Sequence, residues 1–454
     1  MARGKKKESA LTPEEKLAQA LVPVEEQPYQ IPGNWCWTTV GNVCSFVGGG
    51  TPDKSNPEYW GGDIPWASVK DVKDSKLYDT VDRITQVGLE HSASNLCQKG
   101  ELILVTRIEP GKAIVSEIVT AINQDLKVIK SHLDASFLFY YFQTFQHKFE
   151  EKASGSTVKG ITIPNVQGTV FPLPPLAEQQ RIVGRIEYLF AKLDEAKEKA
   201  QSVLDSFETR KAAILHKAFT GELTAKWRTE HSVTLEGWHD TTVGNLFEVF
   251  SGKGFKEKEY SLSGIKLLRI SNVTYDELVW EDTKYLPVEY LDTVPELVLK
   301  SGDIVMALNR PITNGKLKVS IVDDIERYIL YQRVGCLRKR NPENSTQYLQ
   351  YALLSQSFLH QVESHLQGSD QPYINLPPLK SLTIALCSEP EQKEVVRILD
   401  SLLAKEQQAK EAAEAVLEKI DLLKKSILAR AFRGELGTND PNEESAQELL
   451  KTVL

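Results

Sequence analysis

The stretch of this 454-residue chain closest to a catalytic signature is Phe46-Val47-Gly48-Gly49-Gly50, which fits the FxGxG pattern of S-adenosylmethionine sites. Such a site needs a glycine-rich turn leading from a strand into a helix. Here Thr51-Pro52-Asp53 follows, with no helical pattern behind it. An amino-methyltransferase also needs an Asn/Asp-Pro-Pro-aromatic motif to hold a flipped base, whereas Asn375-Leu376-Pro377-Pro378-Leu379 has the wrong order and no aromatic. No GxxxxGK[ST] phosphate loop and no HExxH occurs, and the eight histidines are dispersed. The carboxylates form no nuclease-like triad with lysine. Cys36, Cys44, Cys97, Cys336 and Cys387 lack CxxC or His-paired spacing. They read as reduced thiols of a cytoplasmic protein, without disulfide or zinc. The expectation is a chain with no catalytic site, metal or cofactor of its own.

What remains is binding chemistry. Arginine and lysine suit guanine, asparagine and glutamine suit adenine, and hydroxyls suit phosphate. Residues of these types fall in turn-like segments between β-rich runs, where binding groups tend to sit. In the first half they are Lys54, Ser55, Ser68, Lys70, Arg107, Lys112, Ser156, Thr157 and Lys159. In the second they are Lys253, Lys256, Arg269, Ser271, Asn272, Asn309, Arg310, Lys316, Ser369 and Gln371. Each could equally be a solvated surface residue. Trp66 reads as core rather than as a base-stacking platform, and Trp35 and Trp238 read as structural. The net charge of −8 speaks against a nucleic-acid binder at face value. Local basic patches, not net charge, make the electrostatic footprint, and partner subunits could supply part of the phosphate grip.

The elements that must position these residues are duplicated. Trp35-Cys36-Trp37-Thr38-Thr39-Val40-Gly41-Asn42 returns 203 residues later as Trp238-His239-Asp240-Thr241-Thr242-Val243-Gly244-Asn245. The segment from Glu178-Gln179 to Gly221-Glu222-Leu223 returns without a gap, 213 residues on, from Glu391-Gln392 to Gly434-Glu435-Leu436. Such a period is too long for a solenoid. Each copy carries short β runs such as Glu101-Leu102-Ile103-Leu104-Val105, then a helical patch (Ala135 to Lys152, or Thr346 to Leu366). A Gly-Ser turn, a last extended stretch and a long helix complete it.

The first long helix starts after Pro174-Pro175 and stops at Gly221; the second stops at Gly434. Ile182, Ile186, Leu189, Leu193, Ala196, Ala200, Val203 and Phe207 alternate at spacings of four and three, a coiled-coil seam. Val395, Leu399, Leu402, Ala409, Ala413, Val416, Ile420, Leu423 and Ile427 repeat it, with Glu406 interrupting. The stripes are expected to pair antiparallel, crossing near Ala196, Ala200, Ala409 and Ala413. Helices of about 42 residues would be roughly 60 Å long, a stiff spacer between two heads. A hairpin in one core, or a seam between chains, is the alternative.

This arrangement resembles the specificity subunits of type I restriction-modification systems. The resemblance is carried by Gly49-Gly50-Thr51-Pro52, Gly62-Asp63-Ile64-Pro65-Trp66, Gly155-Ser156-Thr157-Val158-Lys159-Gly160-Ile161 and Leu173-Pro174-Pro175-Leu176-Ala177-Glu178-Gln179. Ala218-Phe219-Thr220-Gly221-Glu222-Leu223 and its echo Ala431-Phe432-Arg433-Gly434-Glu435-Leu436 complete it, and it spans about 400 residues. It implies two α/β (α+β) target-recognition domains in tandem, joined by two long antiparallel helices in a pseudo-two-fold, near-circular arrangement. Each domain would read one half of a bipartite, asymmetric double-stranded DNA target. Two methyltransferase subunits, which use S-adenosylmethionine, and two restriction subunits, which use ATP and Mg, are the implied partners. Ser251-Gly252-Lys253-Gly254-Phe255 and Leu386-Cys387-Ser388-Glu389-Pro390 depart from the pattern, so the second domain is expected to sit differently on its half-site. A duplicated coiled-coil scaffold without DNA affinity is the competing reading.

The expected division is 29–173 and 238–386 for the domains and 174–223 and 387–436 for the helices. Residues 224–237 form a linker, and 1–28 and 437–454 are tails. Residues 11–21 and 444–454 look like short amphipathic helices able to meet. Lys5, Lys6 and Lys7 read as a solvated tail without the apolar run of a signal peptide. No apolar run approaches the roughly 18 to 20 residues that span a bilayer.

Overall fold

The computed structural model describes residues 12–153, 159–275, 277–322 and 326–454. Two compact units divide the chain, Met1–Lys199 with Val416–Leu454, and Ala200–Ala415. Each contains one head and part of both long helices, Leu176–Phe219 (44 residues) and Glu389–Ala431 (43 residues). The helices begin and end close to the boundaries that Pro174-Pro175, Gly221 and Gly434 predict. Both glycines adopt positive φ, 79° and 72°.

In the first head a five-stranded sheet runs in the order Cys44–Gly48, Leu126–Ser131, Leu102–Val105, Ala113–Ser116, Lys76–Leu77. Every pair in it is antiparallel except the last. Leu102–Val105 is buried along its whole length because both of its faces are covered. Leu102 and Leu104 pack with Phe137, Tyr141 and Phe142, which the helix Ala135–Lys152 supplies. Ile103 and Val105, pointing the other way, pack with Ala67, Val72 and Ile122. A second, four-stranded sheet, Asp82–Ile84, Trp60–Ala67, Thr120–Ile122, Asn95–Cys97, covers that side.

The second head repeats this plan. Its four-stranded sheet has the order Phe247–Ser251, Val334–Lys339, Ile304–Ala307, Val319–Ile321. Ile304 and Met306 join Tyr348 and Leu349 in one core, and Val305 joins Leu268 and Val273 in the other. The helical patch expected as one piece is two, Thr346–Leu353 and Gln356–Ser364. Ser355 makes the break by capping the second helix, its hydroxyl accepting from Phe358 N at 3.3 Å.

The repeated Glu-Gln pair fastens each long helix to its head. Gln179 accepts from Asp134 N (3.1 Å), and Asp134 in turn caps Ala135–Lys152. Gln392 does the same at Ser345 N (3.0 Å), the cap of Thr346–Leu353. Glu178 is fully buried and accepts from Trp35 Nε1 (2.7 Å) and Thr438 Oγ1 (3.3 Å). Burial pushes its carboxyl above the usual range, against the pull of those two donors. Glu391 is 1% exposed and accepts from Thr224 Oγ1 and an Arg228 guanidinium nitrogen, both at 2.6 Å.

Within each unit the two helices run antiparallel. Asp194 pairs with Lys424 in the first unit and Arg210 with Glu406 in the second, at 2.6 and 2.7 Å. The seam of the first helix is buried or half-buried throughout, from Ile182, Ile186, Leu189 and Leu193 to Ala196, Ala200, Val203 and Phe207. That of the second needs correction. Val395, Leu399, Leu402, Ala413 and Ile420 turn inward as expected, but Ala409, Val416 and Leu423 are exposed. Their places are taken one residue later by Lys410, Leu417 and Lys424. The ammonium groups of Lys410 and Lys424 lie 5.1 Å from the ring centres of Phe207 and Phe190. A lysine stem over an aromatic ring fills a seam position as an aliphatic side chain would, which apolar spacing cannot reveal.

The terminal helices Pro13–Ala20 and Ala446–Val453 pack together, as their amphipathic patterns suggested. Leu17, Ala20, Ala446 and Leu450 share the core of the first unit, and Lys16 Nζ donates to Leu454 O at 3.2 Å. All five cysteines are buried and free. Burial pushes the thiols of Cys36, Cys44, Cys97 and Cys387 up to about 12 and that of Cys336 well upward, so they are unreactive. Among the described residues no helix is long and apolar enough to cross a membrane, and no group of His, Cys, Asp or Glu could hold a metal.

Two stability measurements check this packing. Glu391→Ala strands the buried Arg228 guanidinium and is expected to cost about 3–5 kcal/mol in denaturant unfolding; a loss below about 1 kcal/mol would refute the clamp. Val416→Lys should change stability by no more than about 0.5 kcal/mol, whereas Ile420→Lys should cost at least about 3 kcal/mol. Equal losses would restore the original seam.

Candidate nucleic-acid interface

In the second head three chain crossings meet at one end of the four-stranded sheet. Leu308 N donates to Arg333 O (2.9 Å), Arg310 N to Pro372 O (2.6 Å) and Ile374 N to Leu308 O (2.9 Å). The loop after Ile304–Ala307, the turn before Val334–Lys339 and the segment 367–374 are thereby laced together. Arg310, Lys318, Arg333, Ser271, Asn309 and Gln371 line the resulting cavity of about 230 Å³. Arg310, Lys318 and Arg333 have no carboxylate partner among the described residues. Arg310 and Arg333 are exposed and hold positive φ, 46° and 66°. That conformation costs a non-glycine residue about 1–2 kcal/mol, and such strain collects at functional sites. Three cations, two amides and a hydroxyl around one opening make a surface for phosphate oxygens and base edges.

The first head has the same crossings with different side chains. Thr106 N donates to Asp125 O (2.8 Å), Ile108 N to Lys159 O (2.9 Å) and Ile161 N to Thr106 O (2.8 Å). Asp125 stands where the second head has Arg333, Arg107 where it has Asn309, and Ile108, at φ 75°, where it has Arg310. Arg107 pairs with Asp125 at 3.3 Å. Lys127 lies beside them, its ammonium pushed below its usual range by desolvation and by the Arg107 charge, while Asp125 acts the other way. A glycine at the equivalent place in each head lets the first strand's end approach these turns. A Cβ on Gly49 would stand 2.2 Å from Asn123 O, and one on Gly252 2.2 Å from Leu330 O.

Of the residues singled out from sequence, Ser271, Asn309, Arg310 and Gln371 come together, as do Arg107 and Lys159 in the first head. Lys54 and Lys159 are exposed without an ion-pair partner among the described residues. Ser55 is exposed and bonded to Asp53, Lys253 lies over the Phe255 ring, and Lys256 and Ser369 are exposed. Lys70, Lys112, Arg269 and Lys316 are engaged by Asp82, Glu109, Asp282 and Glu208 within their own units. Ser68 is tied to Asp71. Asn272 is corrected: it is 2% exposed, its amide accepting from Arg269 N and donating to Val279 O, so it shapes the turn from inside. Ser156 and Thr157 lie outside the described residues. Trp66 is core, its indole donating to Gly50 O and Ser94 Oγ. Sequence reading missed Lys318, Arg333 and Lys127. Setting the two copies side by side at the turn before Leu126–Ser131 and Val334–Lys339 would have exposed the Asp125/Arg333 exchange.

Comparison with known proteins agrees with this duplicated plan. The family model described as the type I restriction modification DNA specificity domain matches residues 32–204 and 235–419. The chain is 32% identical over 416 residues to the MjaVIII specificity subunit of Methanocaldococcus jannaschii, covering 86% of this chain and 92% of that one. It is 26% identical over 301 residues to the EcoKI specificity subunit of Escherichia coli K12, covering 64% and 63%. The fold matches the HsdS subunit from Thermoanaerobacter tengcongensis with a TM-score of 0.66 at 19% identity, over 91% of this chain and all of that one. Duplicated domains, paired long helices and matched family segments together place the chain in the type I restriction-modification DNA specificity family.

Proposed function

We propose that this chain is the DNA-reading subunit of a type I restriction-modification complex, and that it carries no catalytic site of its own. Each head reads one half of a bipartite, asymmetric target in double-stranded DNA. The observation that carries this reading is the pair of equivalent loop crossings with unequal chemistry: Asn309, Arg310 and Arg333 in one head, Arg107, Ile108 and Asp125 in the other. One scaffold used twice with different side chains suits two different half-sites, and half-site spacing then becomes a geometric property of the protein. The long helices serve as the spacer that sets the unread gap.

Each head with its adjoining helix segments docks one methyltransferase subunit, and restriction subunits join through these. S-adenosylmethionine belongs to the methyltransferase, and ATP and Mg to the restriction subunit. The complex works in the cytoplasm, where the chain's thiols stay reduced.

Adenine-methylation mapping tests this. DNA from cells expressing the cognate methyltransferase subunit with this chain should carry a bipartite motif with a fixed gap, absent without the chain. Native mass spectrometry of the purified complex should give two methyltransferase subunits per chain. Verified complex formation without a chain-dependent motif would favour the scaffold reading.

A further inference from the structure

We propose that Arg310 and Arg333 read guanine in the half-site of the second head, and that the first head reads no guanine through the matching positions. The proposal rests on the reading of this loop face as the DNA interface. It begins from the different ways in which the chain holds its cations. Lys70, Lys112, Arg269 and Lys316 are each engaged by a neighbouring carboxylate. Arg310 and Arg333 have no such partner among the described residues, and both line the same cavity.

Their backbones are held in place. Arg310 N is fixed to Pro372 O, and Arg333 O receives the Leu308 N–H, so two guanidinium groups start from adjacent points of one laced loop. Both residues keep left-handed backbones that glycine or asparagine would adopt at lower cost. An arginine held there despite the strain is explained if its side chain is needed. A guanidinium is a fixed fork of donors, which matches the O6 and N7 acceptors of guanine in the major groove. Lys318, a point charge in the same cavity, suits a phosphate instead. In the first head the Arg333 position is Asp125, whose carboxylate engages Arg107 at 3.3 Å, and the Arg310 position is Ile108, 55% exposed. Asp125 is buried and held by Arg107, so neither it nor Ile108 offers guanine a donor, while the exposed aliphatic side chain suits the thymine methyl. The two heads therefore differ in the bases they can take at matching positions.

The test uses the complex of the full chain with its cognate methyltransferase subunit, selected on duplexes randomised in both half-sites. Arg310→Gly and Arg333→Gly are the informative variants, because glycine relieves the positive φ and so preserves the fold, which a melting curve checks. The expected result is loss of a guanine preference at one or two positions of one half-site. Discrimination there should fall by about 5- to 100-fold, with the other half-site unchanged. Lys318→Gln should instead weaken binding to all sequences alike and lower the salt dependence. A uniform loss for the arginine variants would overturn guanine reading while leaving the loop face as a DNA contact. Unchanged affinity and unchanged motif would overturn both.

Discussion

A carboxylate withdrawn from water must be met by donors, and in each unit such a carboxylate stands at the start of a long helix. Glu178 and Glu391 are almost wholly buried. Their donors come from segments far away in sequence: Trp35 and Thr438 for one, Thr224 and Arg228 for the other. Each contact ties the entry of one long helix to the segment that follows the other, and at Glu178 the Trp35 indole adds the base of the head. The adjacent glutamine completes the joint by capping the head's own helix. With the helix entry fixed in this way, Ile182 and Ile186, or Val395 and Leu399, are delivered into the head's core. The helix is thus an extension of each head's core, and the loops at the sheet's end are held against a rigid support.

The same joint is built with different partners in the two units, and the difference is instructive. In the first unit the carboxylate is met by neutral donors, and burial raises its affinity for a proton against their pull. In the second a guanidinium meets it, and that guanidinium also donates to Gly221 O, closing off the end of the first long helix. Both solutions satisfy the buried oxygens, as burial of a charge requires. Duplication preserved the constraint while its chemistry diverged, which is also what happened in the loops.

The repeated segments Trp35 to Asn42 and Glu178 to Leu223 were legible in sequence because they encode packing, and packing has period and spacing. Helix limits followed from Pro174-Pro175, Gly221 and Gly434, and the terminal helices from their amphipathic faces. Three things were not legible. The inward turn of Lys410 and Lys424 depends on aromatic rings of the other helix, at Phe207 and Phe190. The burial of Asn272 depends on a turn whose closure no propensity predicts. The importance of Arg333 depends on a backbone crossing with Leu308, far away in sequence. The first and third are contacts between distant segments and the second is the closure of a local turn, and single-residue types carry no mark of either.

Net charge and local charge point in opposite directions here, and the loop geometry shows how both can hold. The chain is acidic overall, with 62 acidic against 54 basic residues. Many of its cations are spent on neighbouring carboxylates, and exposed pairs of this kind add little stability. Other cations, Lys54 and Lys159 among them, are exposed without such a partner among the described residues, so convergence rather than freedom distinguishes the second head. In the second head three unpaired cations surround one opening, while in the first Asp125 offsets Arg107. A protein with cations spread evenly would hold any duplex through its phosphates, with little regard to sequence. Three cations that converge with two amides and a hydroxyl on one loop crossing add base-edge contacts to whatever grip the other free cations have on phosphate.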